Sequence, residues 1–174
     1  MTPPPNADSL AAERAHLDSI ARLAEQRAQA QRDSVAALRQ ADSVAAQRQK
    51  AEAAMRVLAT MIHFDFDKAN LHPEDAALLE QKIPILQTNP GVRIQIAGNC
   101  DERGSDEYNL ALGNRRTIAA RNYLTNHGIA GDRIETVSYG KERPIDPHHN
   151  PEAWARDRNA QFIDLSTSLG LRTP

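Results

Sequence analysis

The chain has 174 residues, of which 40% are hydrophobic, 25% charged and only 4% aromatic, with a formal net charge of −2. That length holds one ordinary domain plus an extension. The near-neutral charge excludes the basic stripe that nucleic acid or an anionic membrane surface would require, and a single cysteine, Cys100, excludes an internal disulfide framework or a cysteine-only zinc site.

Residues 1–58 read as a helical extension. No apolar run approaches the roughly 20 residues needed to cross a bilayer, and Met1-Thr2-Pro3-Pro4-Pro5 lacks the apolar centre of a signal peptide. An initiator Met directly before that proline run leaves room for an export segment removed upstream, which the genomic reading frame would settle. From Ala7 to about Met55 there is neither Gly nor Pro, and Ala, Arg, Gln and Glu dominate, residues that lose little on entering a helix. An Asp-Ser-apolar-Ala phrase recurs at Asp8, Asp18, Asp33 and Asp42, but its irregular spacing argues against a solenoid. Leu10, Leu17, Ala24, Gln31, Leu38 and Ala45 share a seven-residue register that Gln31 and the alanines dilute, so a solvated spacer is expected over a self-pairing or partner-binding helix.

The texture changes after Leu58, and residues 61–165 read as a second region followed by a tail, 166–174. Ile62, Phe64 and Phe66 alternate with His63, Asp65 and Asp67, as in a half-buried strand. Pro73-Glu74-Asp75 suits a helix start with Leu79, Ile83 and Leu86 inward, and Pro84 predicts a kink or an early end. Asn89-Pro90-Gly91 is a turn, Val92, Ile94 and Ile96 mark a second strand, and Gly98–Gly104 is a polar loop. A long helix follows from about Asp106 to Asn126, ended by Gly128. Ile134–Tyr139 reads as a third strand, Pro151–Arg158 as a short helix and Ala160–Leu165 as a last strand. Such alternation predicts a compact α+β sandwich with one sheet face uncovered.

The chemistry concentrates in Gly98-Asn99-Cys100-Asp101-Glu102-Arg103-Gly104 and the helix after it. Leu112, Arg116, Ala120 and Leu124 recur every four residues, which places a guanidinium on the face that looks at the sheet. A group that never deprotonates needs acceptors there. One possibility is an internal ion pair of Arg116 with Asp101 or Asp67. The other is a cleft in which Arg116 grips a ligand carboxylate with two N–H groups while Asp101 accepts from an ammonium, both charges then being removable with little loss of fold. A zinc site from His63, His148, His149 and Cys100 lacks ligand spacing, and Cys100 as a nucleophile lacks a recognisable base. Trp154 reads as a packing residue over the last strand.

Phe64-Asp65-Phe66-Asp67, the Gly98–Gly104 loop, Tyr108-Asn109-Leu110-Ala111-Leu112, Arg115-Arg116 and Ser138-Tyr139-Gly140-Lys141-Glu142-Arg143-Pro144 together resemble the OmpA-like peptidoglycan-binding domain. Within that family they look like its lipoprotein branch, which works with the Tol system. The resemblance implies an OmpA-like βαβαβ two-layer sandwich behind a long N-terminal α-helix, with no catalysis, no cofactor and no metal. It implies a periplasmic protein that binds the diaminopimelate of uncrosslinked peptidoglycan stem peptides, held to the outer membrane by a lipid anchor and partnered by Tol-system proteins. A structural adaptor for such proteins, its cleft closed by an Asp101–Arg116 bridge, is the alternative.

Carried onto this chain, the resemblance implies that Asp101 meets the ammonium and Arg116 the carboxylate. Asn109 and Asp67 would line the pocket, and the backbone around Cys100 would give hydrogen bonds. Arg158 resembles the first arginine of an Asn-Arg-Arg signature. Three departures stand out: Asn99 and Cys100 before the aspartate, Asp157 and Asn159 around Arg158, and Pro84 within the first helix of the domain.

Overall fold

A computed structural model describes residues 7–166. Two compact units divide between Arg48 and Gln49, so the second begins ten residues before the boundary read at residue 58. Helix α1 runs from Ala7 to Ala59, as its composition predicts. In the first unit Leu10, Leu17 and Leu38 are exposed, so that stretch rests on intrinsic propensity and local bonds such as Gln29 Nε2 to Asp33 Oδ1 at 2.7 Å.

The second unit takes in the last turns of α1, because Ala54 and Leu58 are buried in its core with Ile62, Phe64, Leu79 and Leu86. The core continues through β1 (Ile62–His63), α2 (Pro73–Thr88), β2 (Ile94–Asn99), α3 (Asp106–Asn126), β3 (Ile134–Gly140), α4 (Pro151–Asp157) and β4 (Asn159–Asp164). The sheet order is β1-β4-β2-β3, with β2 and β3 parallel and the other neighbours antiparallel. This α+β arrangement behind a long helix is the one the sequence predicts.

Two local readings change. The first strand stops at His63: Phe64 is buried, but the chain then turns, Lys68 N–H closing on Asp65 O at 3.2 Å, and Phe66 stands exposed. Helix α2 does not end at Pro84 but continues to Thr88. Its inner face also carries Lys82, fully buried, whose ammonium donates to Val57 O at 2.6 Å, Leu58 O at 2.8 Å and Thr60 O at 2.7 Å. These carbonyls lie at the C-terminus of α1, where a helix leaves acceptors unpaired and favours a cation. The ring of Phe162 lies 4.3 Å from Lys82 Nζ.

Two glycines set the distance between α3 and the sheet. A Cβ on Gly98 would overlap Gly113 O, and one on Gly113 would overlap Ser138 Oγ. The helix therefore lies close enough for its inward side chains to reach the ends of the strands.

Candidate functional site

At the C-terminal end of β2 the chain builds a cleft of about 170 Å³, comparable with the roughly 150 Å³ cavities that admit a small ring. Its walls include Asp67, Cys100, Asp101, Asn109 and Arg116, so the structure brings together every site residue inferred from the sequence. Phe66, Arg103, Gly104, Tyr108, Leu112 and Arg158 complete it.

Arg116 is fully buried on α3 beside Leu112, Ala120 and Leu124, as the four-residue spacing predicts. Nε donates to Lys68 O at 2.9 Å, Nη1 to Asn99 O at 2.7 Å and to Cys100 Sγ at 3.4 Å, and Nη2 to Asp65 O at 3.0 Å. Phe64 lies under the guanidinium at 5.0 Å. A guanidinium has five N–H groups, and these bonds use four. Burial pulls its pKa down from the ordinary arginine value. Among the described residues no ion pair involves Arg116, so its charge is solvated by carbonyl dipoles but not neutralised. Two expectations change with it: a two-pronged grip is no longer available, and the side chain ties the Asp65–Lys68 turn to β2, so deleting it would disturb the fold.

Asp101 is 4% exposed at its side chain, yet its partners are not Arg116. Oδ1 accepts from Arg103 N–H at 3.2 Å and Arg103 Nε at 3.0 Å; Oδ2 accepts from Arg103 Nη2 at 2.7 Å and Arg158 Nη1 at 3.2 Å. Burial would raise this carboxyl, but the bonds from Arg103 and Arg158 outweigh it and hold the pKa below the usual value. The internal Asp101–Arg116 bridge is thus absent from the described ion pairs.

Asp67 sits in the turn at φ 58°, a left-handed conformation that costs a non-glycine residue roughly 1–2 kcal/mol. Held there, its carboxylate accepts from the Tyr108 hydroxyl, and that bond raises the tyrosine pKa. Asn109, buried on the first turn of α3, donates Nδ2 to Arg103 O at 2.9 Å and so shapes the loop. Ser105 starts the helix by accepting from Tyr108 N–H.

Cys100 behaves as a packing thiol. Burial pushes its pKa up, and Sγ donates to Asn109 O at 3.4 Å. Its backbone N–H is already committed to Gly140 O at 2.7 Å. Two of the departures from the family pattern turn out to be one pair, since Asn99 Nδ2 donates to Asn159 Oδ1 at 2.9 Å inside the protein. Asn99 Oδ1 is the one buried side-chain polar atom among the described residues with no partner. Asp157 takes the backbone N–H groups of Ile145 and Asp146 at 2.7 and 3.1 Å. His148 and His149 pair with Asp146 and Glu102 on a different surface from Cys100.

Sequence reasoning passed over Arg103, Phe66 and Tyr108 as cleft residues. Arg103 lay inside the quoted loop motif, but nothing in its spacing shows that its guanidinium folds back on Asp101 two residues earlier. Trp154, read as packing over the last strand, lies with its ring 4.3 Å from the Arg103 guanidinium.

The sequence pattern of the OmpA family matches residues 63–158. A "Peptidoglycan-associated lipoprotein" of Pseudomonas putida is 40% identical over 111 residues, covering 64% of this chain and 66% of that protein. Its Pasteurella multocida namesake is 38% identical over 99 residues, covering 57% and 66%. The chain thus spans just under two thirds of these relatives' length. The crystal structure of the peptidoglycan-associated lipoprotein from Burkholderia pseudomallei superposes with a TM-score of 0.59 at 40% identity, over 60% of this chain and 88% of that one. The C-terminal domain of Helicobacter pylori MotB, 19% identical, shares the fold with a TM-score of 0.58. With over half of the chain matched and the cleft residues inside the match, this chain belongs to the OmpA family.

Proposed function

We propose that this chain binds peptidoglycan without making or breaking bonds, and that its cleft grips the diaminopimelate of uncrosslinked stem peptides. The observation that carries the reading is Arg116: a fully buried cation, without a carboxylate partner among the described residues, lining an open cleft beside a buried carboxylate. A ligand carboxylate neutralises that charge and takes the remaining N–H, a charge-assisted bond in a site screened from water. Asp101 receives the ammonium, while Asp67 and Asn109 form the walls. A stem whose amine has been consumed by crosslinking offers no cation and is excluded.

The same arithmetic favours an anion at this place. The lining side chains Arg103, Arg116 and Arg158 against Asp67 and Asp101 sum to a formal charge of +1. The names of the relatives support the wall as the source of the ligand, and a wall ligand makes the periplasm the proposed compartment. With a lipid anchor on its N-terminal side, such a protein tethers the outer membrane to the wall, and Tol-system proteins are its expected periplasmic partners.

Sedimentation with purified sacculi tests the reading. Wild-type chain should pellet, whereas Asp101→Asn and Arg116→Lys, which keep side-chain bulk, should remain in the supernatant. Pelleting of both variants at the wild-type level would overturn the assignment. A chain that stays in solution with sacculi yet binds a Tol-system protein would be the structural adaptor instead.

A further inference from the structure

An ionised carboxylate presents about four lone-pair directions, and in Asp101 all four are taken, three by Arg103 and one by Arg158. A ligand ammonium assigned to Asp101 therefore has no vacant acceptor in this state of the protein. One of the resident donors must leave.

The two guanidinium groups differ in how they are held. Arg158 is 16% exposed at its side chain and is tied by Nε to Phe64 O at 3.0 Å, the residue whose N–H bonds back to Arg158 O. Arg103 is 36% exposed, comes from the loop, and its guanidinium has no hydrogen-bond acceptor other than Asp101 among the described residues. It lies between two aromatic faces, 3.9 Å from the Phe66 ring and 4.3 Å from the Trp154 ring. Phe66 is exposed, and Trp154 is steadied by its indole N–H donating to Glu102 Oε1 at 2.8 Å. Ring faces attract a cation without fixing its direction, so they let a guanidinium move while it keeps much of that attraction.

We propose that Arg103 is a built-in occupant of the cleft: its guanidinium stands on Asp101 in place of the ligand's cation, and it swings outward over Phe66 and Trp154 when an ammonium takes its place. This inference rests on the binding reading above and adds a selection step to it. The exchange at Asp101 is cation for cation, so charge balance is preserved. A ligand bearing only a carboxylate can meet Arg116 but cannot displace Arg103, whereas a ligand bearing both charges is admitted at the cost of the resident contact.

The cost is measurable. If Arg103 occupies Asp101 in about nine molecules of ten, the apparent Kd for a cation-bearing ligand is raised about tenfold over that of an unblocked site. Titration of the full chain with meso-diaminopimelate should therefore give about tenfold tighter binding for Arg103→Ala than for wild type, with Arg103→Gln between them. Trp154 is the single tryptophan of the chain. Its emission should shift when diaminopimelate enters the wild type, as the guanidinium moves across the ring face, and should stay constant on titrating Arg103→Ala.

Wild-type binding with an Arg103→Ala affinity that is equal or weaker, in a variant with unchanged circular dichroism, would overturn the occupant role and leave the binding reading standing. Absence of binding to diaminopimelate and to sacculi by both proteins would overturn the binding reading, and this inference with it.

Discussion

Two cations are fully buried in the same unit, and they do different work. Lys82, where α2 meets the end of α1, has three N–H groups and three carbonyl acceptors. Arg116, where α3 meets β2, has five N–H groups and four acceptors, and it lines an open cleft. Both lie against a phenylalanine ring, and neither has an ion pair among the described residues. Burial therefore does not mark a functional charge. Completed donors make Lys82 a clamp, whereas the donor left over on Arg116 beside the cleft is the basis of the proposed binding site.

Lys82→Ala is the most severe way to test this contrast. It removes a buried cation, opens a cavity and leaves three carbonyls unpaired, so the second unit should lose about 3–5 kcal/mol in denaturant melts. Diaminopimelate affinity of the fraction still folded should match wild type. A large loss of affinity would end the separation of clamp from site.

Arg116→Lys should lower affinity, along with some stability, because the lysine gives up part of the tie between the Asp65–Lys68 turn and β2. The charge is kept but the donors fall from five to three, which weakens diaminopimelate binding by about 1–3 kcal/mol, or roughly 5- to 150-fold in Kd by calorimetry. Gly98→Ala should cost about 1–3 kcal/mol of stability, because its Cβ forces α3 away from β2. It should weaken binding as well, since Arg116 rides on that helix.

The clamp also has a pH signature. Burial pushes the Lys82 pKa down to about 7 from an ordinary 10.5. Between those values the unfolded chain holds a proton that the folded chain has released, so this residue makes stability rise as pH climbs from 7 towards 10. Lys82→Met should flatten that rise, as urea midpoints at pH 7 and pH 9.5 would show. The smallest effect is expected at Asp67→Gly: relief of the left-handed backbone offsets loss of the Tyr108 hydrogen bond, and stability should stay within about 1 kcal/mol of wild type.

Much of the fold was legible in the chain. Helix α3 falls on Asp106–Asn126 as read, because Ser105, the acidic first turn and Gly128 are local signals acting within one turn of each helix end. The inward face through Leu112, Arg116, Ala120 and Leu124 follows from helical geometry alone. Phe66 misled for a physical reason: alternation continues past the point where the backbone turns, and Asp67 accepts a strained φ that no periodicity reveals. At Pro84 only the early end is overturned, since a helix packed through Leu79, Ile85 and Leu86 continues to Thr88 despite one missing donor.

For the site, helical period by itself turned Arg116 inward, and the family resemblance implied Asp67, Cys100, Asp101 and Asn109 as its neighbours at the end of β2. Only the tertiary structure decided how they are paired: Arg116 with carbonyls of a distant turn, Asp101 with Arg103 and Arg158, Asn99 with Asn159 sixty positions away. Hydrogen bonds form between whichever groups folding brings within about 3 Å in a suitable direction. For Arg116 that distance is set by the approach of α3 to the sheet, and for Asn99 and Asn159 by the ends of β2 and β4, segments far apart in the chain.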